Sequence, residues 1–364
     1  MKIVNILFNY KKATHDNQIL GVERCFIDYA RYLVGHNNEV VSVLKKGMVY
    51  IEDVKRTSSR AVEMNAFSNG DVFTMLRMAF LFFTFAPDII ICHSGRALLF
   101  ARIARFLTFR KTPIVVINHG IRVRKFLKAD YVLAVNSYFT RELVAAGMRA
   151  DRAIAIPNMI AVPKNFIAPV KQKFRKPLKL GALGRLYPEK YFDKVLSAMA
   201  ILRDQGFECE YVIGGVGPMQ APLEKQAREL GLEKNFKILG WTEDKKTFFE
   251  GVDIFILPSW GETFGIVLLE AMLYNTPIIT SDSWGPDEII DEGIDGLKVS
   301  KDDAEKMPQL LAQAILKLVN DEEFARKLAV NASKKFFEQY SAEVVSKRLN
   351  DLLRDISTKH KNNR

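Results

Sequence analysis

Two carboxylates in one short stretch, residues 258–275, are the side chains of this sequence best placed to bind a ligand. Glu262 and Glu270 stand eight positions apart. A mostly apolar run over residues 252–257 predicts a buried strand before them, and the pattern then becomes helical. The residues that share the helix face of Glu270 are apolar: Ile266, Val267, Leu273 and Tyr274. A carboxylate on such a face must meet a specific partner or line a cleft, so a binding site is predicted here.

The start of this predicted helix adds groups that bind anions. The backbone amides of Phe264, Gly265 and Ile266 belong to its first turn, where N–H groups lack a helical acceptor. Two carboxylates beside such amides suit a ligand with hydroxyl groups at its ends and phosphates between them, as in a nucleotide sugar. The alternative is an ordinary amphipathic helix whose one glutamate faces an arginine of a neighbouring helix.

The segment Gly-Glu-Thr-Phe-Gly-Ile-Val-Leu-Leu-Glu-Ala-Met, residues 261–272, resembles the donor motif of retaining glycosyltransferases of family 4, the glycosyl transferases group 1. The resemblance spans nearly the whole chain and is densest over residues 181–297. It implies an α/β protein of GT-B fold, with two Rossmann-like parallel-sheet domains facing each other across a cleft. It also implies a metal-independent hexosyltransferase that retains the anomeric configuration of the transferred sugar.

Cations that suit a diphosphate follow the strand predicted over residues 178–183. Arg185 offers a planar fork for phosphate oxygens, and Lys190 offers a point charge. The alternative is that both are solvated loop cations. The resembling family carries Gly-Arg, a short gap and Lys here for the donor diphosphate. This chain has Tyr191 where a glycine usually follows the lysine, a departure that concerns the tightness of the turn and not the charges.

Two other loops of the second half carry weaker signals. The segment Gly-Gly-Val-Gly at residues 214–217 either cradles a phosphate or makes a tight turn into a helix. It lacks the full Gly-x-Gly-x-x-Gly spacing, because Gln220 stands at the last position. Trp241 follows the strand predicted over residues 236–239. It either meets the nucleobase, as the resemblance implies, or is a structural aromatic residue.

In the first half, polar residues follow several predicted strands. Strand, helix and strand over residues 2–44 indicate a parallel α/β domain, in which ligands collect at the carboxyl ends of the strands. Such ends fall at residues 93–95, 119–120 and 136–137. His119 is the catalytic candidate, unless it is a satisfied structural histidine. In the resembling family a His-Gly at this point contacts the donor sugar, and Gly21 resembles the family's glycine loop, although Leu20 replaces the first of two usual glycines.

Together these residues give an expected set of roles. Glu270 is expected to hold the ribose hydroxyls, and Arg185 with Lys190 the diphosphate. The amides of residues 264–266 are expected to bind phosphate and sugar, and Glu262 with His119 to orient the hexose. The sequence contains no Asp-x-Asp and no His/Cys group at metal-ligand spacing. The cations and amides suffice for the diphosphate, so neither a metal nor another cofactor is expected.

The formal charge of +11 is unevenly distributed. Residues 1–165 carry 24 Lys and Arg against 12 Asp and Glu, which suggests an anionic partner. Residues 98–107 interleave aromatic and basic side chains, and with residues 75–85 they favour an anionic membrane surface. The alternative is a helix packed on the sheet with solvated arginines. Nucleic acid is not expected, because no reader motif is present.

The N-terminus shows no secretory pattern, and the most apolar segment, residues 78–87, is far shorter than the ~20 residues of a spanning helix. The three separated cysteines are typical of a reduced, cytoplasmic protein. We therefore expect a cytoplasmic protein, peripheral on the inner face of the membrane. The expected organisation is an acceptor-side domain (1–165), a linker (166–177), a nucleotide-sugar domain (178–340) and a C-terminal helix (341–364) that crosses back to the first domain.

The expected reaction moves a sugar from a UDP-, GDP- or ADP-sugar to a growing bacterial surface glycan or glycolipid. Lipopolysaccharide core, O-antigen and capsule are the acceptor classes considered, on an anionic lipid carrier. Two other functions are compatible with the motifs. One is a nucleotide-sugar epimerase of GT-B fold, and the other is a non-catalytic protein that binds a nucleotide or a glycan.

Overall fold

A computed structural model describes residues 1–8, 19, 21–169 and 173–362. The loop that contains Leu20 therefore lies outside the described residues. The chain divides into two compact units, Met1–Asn158 with Ala342–Arg364, and Met159–Ser341. Each unit has a parallel sheet with helices. This confirms the α/β class that the alternation of strand and helix patterns predicted.

Within the described residues, the first unit has a seven-stranded parallel sheet in the order β3-β2-β1-β4-β5-β6-β7. The strands are β1 (Lys2–Leu7), β2 (Glu39–Lys45), β3 (Arg60–Met64), β4 (Ile89–Cys92), β5 (Ile114–Asn118), β6 (Tyr131–Ala134) and β7 (Ala153–Ala155). The helices between them are α1 (Gly21–Gly35), α2 (Ile51–Thr57), α3 (Val72–Phe85), α4 (Gly95–Leu107) and α5 (Ser137–Ala145). The sequence pattern missed β3 and β7, because these edge strands are short and only partly buried and so lack a continuous apolar run.

The second unit has a six-stranded sheet in the order β10-β9-β8-β11-β12-β13, again counted over the described residues. Its strands are β8 (Leu178–Leu183), β9 (Cys209–Gly214), β10 (Phe236–Gly240), β11 (Ile254–Leu257), β12 (Ile278–Ser281) and β13 (Leu297–Val299). Its helices are α6 (Phe192–Asp204), α7 (Gln220–Glu229), α8 (Lys245–Glu250), α9 (Ile266–Leu273), α10 (Trp284–Ile289), α11 (Met307–Asn320) and α12 (Glu322–Lys335). The helical pattern predicted over residues 304–328 is divided at Asp321, whose carboxylate caps α12 by accepting from the Phe324 amide.

The last helix, α13 (Ala342–Asn362), belongs to the first unit. Its buried residues recur at helical spacing, as in Val345, Leu349, Leu353 and Ile356. Polar contacts fix it to the segment after α1: Asn38 donates to Asn350 Oδ1 at 2.8 Å, and His36 Nε2 lies 3.0 Å from Ser346 Oγ. The amphipathic pattern at the end of the chain thus packs its apolar stripe against this unit.

In both sheets the strand order reverses beside the first strand of the unit. The reversal falls between β1 and β4 in the first unit and between β8 and β11 in the second. Ligands of open parallel sheets bind outside the carboxyl ends of the strands at such a point. The fold therefore assigns one candidate edge to each unit.

The loops after β8 and β9 meet through glycine at the candidate edge of the second unit. Gly184 N–H donates to Gly214 O at 3.0 Å, and Leu186 N–H to Val216 O at 2.9 Å. A Cβ on Gly215 would lie 1.8 Å from Gly184 O, so that no side chain fits there. The Gly-Gly-Val-Gly segment thus supports the loop that carries Arg185, and the close backbone contact requires glycine at position 215.

We expect Gly215→Ala to lower the free energy of unfolding of the second unit by about 1–3 kcal/mol, because the methyl group forces two backbone segments apart. Denaturant unfolding followed by tryptophan fluorescence measures this, since Trp241, Trp260 and Trp284 all lie in that unit. The control is Gly35→Ala in the first unit, where an added Cβ has no neighbour within 4 Å; its unfolding is followed by circular dichroism, because all three tryptophans lie in the second unit. Equal stability of the two variants would contradict the argument.

Candidate functional site

The loop after β8 carries the cations predicted to bind phosphate. Arg185 is exposed, and its guanidinium lies over the ring of Tyr187 at 4.9 Å from the centroid. A short 3-10 turn, Pro188–Lys190, leads to Tyr191, which has a φ of 53°. This left-handed conformation favours glycine and costs another residue roughly 1 kcal/mol. The turn thus forms without the usual glycine, and Tyr191 bears the strain.

Lys190 and Glu262 form an ion pair. The two predicted site residues come from separate loops, and a backbone hydrogen bond from Trp260 N–H to Glu189 O at 2.9 Å holds these loops together. The side chains of Lys190 and Glu262 are only 12% and 16% exposed. A pair in this setting is screened less than a surface pair, so neither charge can give up its partner without another polar contact in its place. A ligand that contacts one partner must therefore also satisfy the other.

The helix α9 begins two residues later than predicted, so that of the amides of residues 264–266 only that of Ile266 lies in its first turn. Gly265, with a φ of 91°, precedes its first residue, Ile266, and no side chain caps this end. The Leu268 amide donates to Gly265 O at 2.9 Å, so the first-turn amides that an anion could meet are those of Ile266 and Val267. The start of α9 and Glu262 of the ion pair belong to the same segment, between β11 and α9. Gly285 N–H of α10 donates to Glu262 O at 3.0 Å and so ties this segment to α10.

Glu270 lies on α9 with its side chain mostly buried. Its Oε2 is 3.6 Å from Nζ of Lys245, the first residue of α8. The pairing with a neighbouring helix that the alternative foresaw therefore exists, with a lysine in place of an arginine. A partly solvated pair at this distance contributes little and can be exchanged for ligand hydroxyls. Sequence reasoning missed Lys245, because a lysine at the start of a short helix has no distinguishing pattern.

Aromatic side chains flank these loops. Trp241, the predicted nucleobase contact, is exposed directly after β10. Trp260 is exposed too, and its ring centroid lies 6.2 Å from that of Trp284 in an edge arrangement. This tryptophan pair was not predicted, although Trp260 directly precedes the donor motif.

The first unit places a chain of side chains across three adjacent strands. Asn5 is on β1, His93 follows β4 and His119 follows β5. His93 Nε2 lies 2.8 Å from Asn5 Oδ1, and His93 Nδ1 lies 3.2 Å from His119 Nε2. Neither Asn5 nor the link from His93 to His119 was predicted. Gly21 begins α1, the helix that follows β1 in the chain.

Burial sets the charge state of the two histidines. It lowers the pKa of His119 to about 4, and the charge of Lys125 acts in the same direction. Burial lowers the pKa of His93 well below its usual range, with His119 contributing. Both rings are neutral near pH 7, so they act as hydrogen-bonding groups and not as cations.

Cys25, His93 and His119 each offer one atom that can ligate a metal ion, the sulfur or a ring nitrogen, and these three atoms lie within 4.8 Å of one another. Sequence spacing gave no sign of this group, because its members come from α1 and the ends of two strands. The polar residues at the other predicted strand ends have structural roles. Ser94 and Asn136 cap α4 and α5 by accepting from the Ala97 and Phe139 amides.

Two family models match adjoining parts of this sequence. Residues 19–162 match Glycosyltransferase Family 4, and residues 163–335 match Glycosyl transferases group 1. The amylovoran biosynthesis glycosyltransferase AmsK of Erwinia amylovora is 27% identical over 291 residues, covering 74% of this chain and 70% of that protein. The lipopolysaccharide core biosynthesis glycosyltransferase LpsE of Rhizobium meliloti is 23% identical, covering 90% of this chain and 93% of that protein.

Solved structures share the fold. Anabaena Alr3699/HepE in complex with UDP matches with a TM-score of 0.81 at 21% identity, covering 98% of this chain and all of that chain. The same protein in complex with UDP-glucose matches with a TM-score of 0.78 at 20% identity and the same coverage. These likenesses confirm the GT-B fold.

Acidification is expected to destabilise the first unit through its buried histidines. A histidine with a depressed native pKa binds its proton more readily in the unfolded chain. The stability that the neutral His119 ring contributes is therefore fully present above its unfolded pKa of 6.5, and it is lost as the pH falls towards the native pKa of about 4. For His119 the expected loss between about pH 7 and pH 5 is about 2 kcal/mol.

Hydrogen exchange of the β4 and β5 amides, measured at both pH values, gives the free energy of opening of this unit. The pH-dependent loss should be smaller by about that amount in His119→Gln, which does not titrate. An equal loss of stability in the variant and the wild type would show that the pKa of His119 is not lowered in the folded protein.

Proposed function

Because the two matched families together identify this chain as a glycosyltransferase with a family 4 domain followed by a group 1 domain, we propose a specific reaction for it. It transfers a hexose from a nucleotide sugar to a growing bacterial surface glycan or glycolipid, with retention of configuration and without a metal. The observation that carries the proposal is the Lys190–Glu262 ion pair beside the uncapped start of α9. Paired charges next to open amides match a ligand that has both phosphates and hydroxyl groups.

Each proposed role follows from the charge and position of a side chain. Arg185, Lys190 and the first-turn amides of α9 bind the diphosphate, and Glu270 accepts from the ribose hydroxyls. Glu262, once Lys190 turns to a phosphate, accepts from hydroxyls of the sugar. His119 contributes a neutral ring to the same substrate. Negative charge grows on the leaving nucleoside diphosphate during transfer, so the cations stabilise the transition state more than the ground state.

UDP is the first nucleotide to test, since HepE is solved with UDP and with UDP-glucose. The arrangement around Arg185 and Lys190 is compatible with GDP- and ADP-sugars as well. The names of AmsK and LpsE support surface polysaccharide or lipopolysaccharide as the acceptor class.

The acceptor proposal includes contact with an anionic membrane surface, through the exposed side of α3. Apolar residues line that side over its whole length: Val72, Phe73, Leu76, Phe80 and Phe83. We call this the α3 face. Phe80 and Phe83 are 69% and 68% exposed. Five large apolar side chains on one solvent-facing stripe exceed the single exposed residues normal for a protein surface.

The α3 face continues into the segment after α4. Phe109 is 91% exposed, and Arg110 donates to Phe83 O at 3.2 Å, which fixes this segment beside the end of α3. Arg77 and Lys111 are exposed nearby in sequence, and residues 67–111 contain six basic but only two acidic residues. Aromatic residues bordered by basic ones fit the interface of an anionic bilayer. Among the described residues, no helix has both the length and the apolarity that crossing a membrane requires.

Of the two segments predicted from the sequence to favour a membrane surface, residues 75–85 and 98–107, the second lies on α4 and is a smaller part of this surface than expected. Leu98 and Phe100 are buried, and Arg105 pairs with Asp130. The periodicity of α4 therefore reflects packing on the sheet, and only its end, Phe106 and Leu107, is exposed. We propose that the protein lies on the inner face of the cytoplasmic membrane, with the α3 face towards the lipid.

Calorimetric titration with UDP-, GDP- and ADP-sugars in the presence of a chelator tests the donor site. One donor should bind, and Glu270→Ala should weaken it by about 1–3 kcal/mol, the cost of losing a hydrogen-bonded charge. The matched control is Glu250→Ala, which removes an exposed glutamate paired with Lys246 in the same unit and should leave binding unchanged. Absence of binding by every donor in folded protein would overturn the proposal.

Product analysis separates transfer from the other two functions. Transfer yields nucleoside diphosphate together with an extended acceptor. A free epimer formed without acceptor would instead identify an epimerase, and binding without any turnover would identify a non-catalytic protein.

Flotation with vesicles that contain phosphatidylglycerol tests the α3 face. The wild type should float with these vesicles and less so as salt rises, because screening weakens the charge attraction. The double variant Phe80→Ser, Phe83→Ser should lose most of the binding. Ile167→Ser removes an exposed apolar residue of the second unit and serves as the control. Failure of the wild type to bind at any salt concentration would refute the proposed contact.

A further inference from the structure

The hydrogen bonds around His93 fix which nitrogen of each ring carries a proton. Asn5 Nδ2 donates to Phe26 O at 3.0 Å, so the amide oxygen of Asn5 is the atom that faces His93 Nε2. An amide oxygen only accepts, and His93 Nε2 must therefore be the protonated nitrogen. The neutral ring then has a lone pair at Nδ1.

The tautomer of His93 in turn determines the tautomer of His119. Its Nε2 faces the lone pair of His93 Nδ1 at 3.2 Å, so His119 Nε2 must carry a proton to make this hydrogen bond. The neutral ring of His119 then has its lone pair at Nδ1. His119 is partly exposed, whereas His93 and Asn5 are fully enclosed. The chain of bonds thus runs from the interior of the sheet to its open edge.

Packing prevents His93 from turning to another arrangement. The rings of Phe26 and Tyr29 meet it edge-on, with centroids 5.5 and 5.3 Å away. The ring planes of His93 and His119 differ by only 14°. A ring held by two aromatic neighbours and two hydrogen bonds keeps one orientation.

We propose that Asn5 and His93 are positioning residues that hold His119 in the tautomer protonated at Nε2, so that His119 Nδ1 accepts a hydrogen bond from a substrate hydroxyl group. This inference rests on the proposed function for the identity of the substrate. An unprotonated nitrogen attracts a hydroxyl proton and repels a phosphate oxygen. His119 therefore recognises the sugar or the acceptor hydroxyl and takes no part in diphosphate binding.

Nitrogen-15 spectra of histidine-labelled protein, recorded without donor and above the ordinary histidine pKa, test the tautomers directly. The chain has five histidines, so each signal can be assigned by loss in a single variant. Both His93 and His119 should show a proton at Nε2 and a bare Nδ1. A proton at His119 Nδ1 would overturn the proposal. Metal-bound signals at His93 Nδ1 and His119 Nε2 would overturn it too, and would make Cys25, His93 and His119 a metal centre.

Three variants then separate positioning from simple structural support. Asn5→Leu removes the acceptor, so His119 should become a mixture of tautomers, and the affinity for UDP-glucose should fall by about three- to tenfold. Asn5→Asp keeps an acceptor for His93 Nε2, although it gives up the bond to Phe26 O, and it should keep the tautomer at a pH where His93 stays neutral. His36→Gln, in the same unit, is the control and should change neither.

Several outcomes contradict the inference independently of the proposed reaction. A single unchanged His119 tautomer in folded Asn5→Leu would refute the role of Asn5. If that variant does not fold, His93→Phe supplies the same readout, and the wild-type spectrum decides the tautomer without any variant. Failure of wild type to bind UDP-glucose would count against that donor and leave the spectra to judge the tautomers.

Discussion

Parallel pairing of the strands is the constraint from which both candidate sites follow. Parallel strands all end at one edge of the sheet, and the reversal of strand order leaves a gap between helices at that edge. In the first unit this brings Asn5 on β1 together with the residues after β4 and β5, and in the second unit it brings together the loops after β8 and β11. The side chains that meet there are far apart in the sequence, as Lys190 and Glu262 are.

The two edges use opposite electrostatic arrangements. The second unit keeps charged groups at its edge and compensates them with one another, through Lys190 with Glu262 and Lys245 with Glu270. The lysine of such a pair can exchange its carboxylate for a phosphate, and the carboxylate can then accept hydrogen bonds from hydroxyl groups. The first unit instead buries two histidines, and burial removes their charge. In the proposed reaction, the charged edge of the second unit would suit phosphates, and the neutral histidines of the first unit would suit hydroxyl groups.

Glycine makes the charged edge possible at a specific point. The close approach of Gly215 to Gly184 O lets the loop after β9 brace the loop that carries Arg185 and Lys190. The turn that follows has no glycine, and Tyr191 there adopts a left-handed conformation that is strained for a residue with a side chain. A rigid support on one side therefore coexists with a strained residue on the other.

The sequence by itself determined the α/β class, most strands and the principal candidate residues. Continuous apolar runs such as Ile89–Cys92 identify strands buried on both faces, and the motif around Glu262 and Glu270 is long enough to be specific. Short edge strands such as Ala153–Ala155 escaped, because a pattern of three partly buried residues carries too little information.

Only the tertiary structure decided which side chains meet. It paired Lys190 with Glu262, brought Lys245 to Glu270 and linked Asn5 through His93 to His119. Of the two segments predicted to favour a membrane surface, it left α3 with the exposed apolar stripe and covered most of α4, since helical periodicity reveals an apolar face but not whether that face is covered. The physical reason is the same in each case: local sequence fixes backbone conformation, whereas contacts between distant segments depend on how the sheets order their strands.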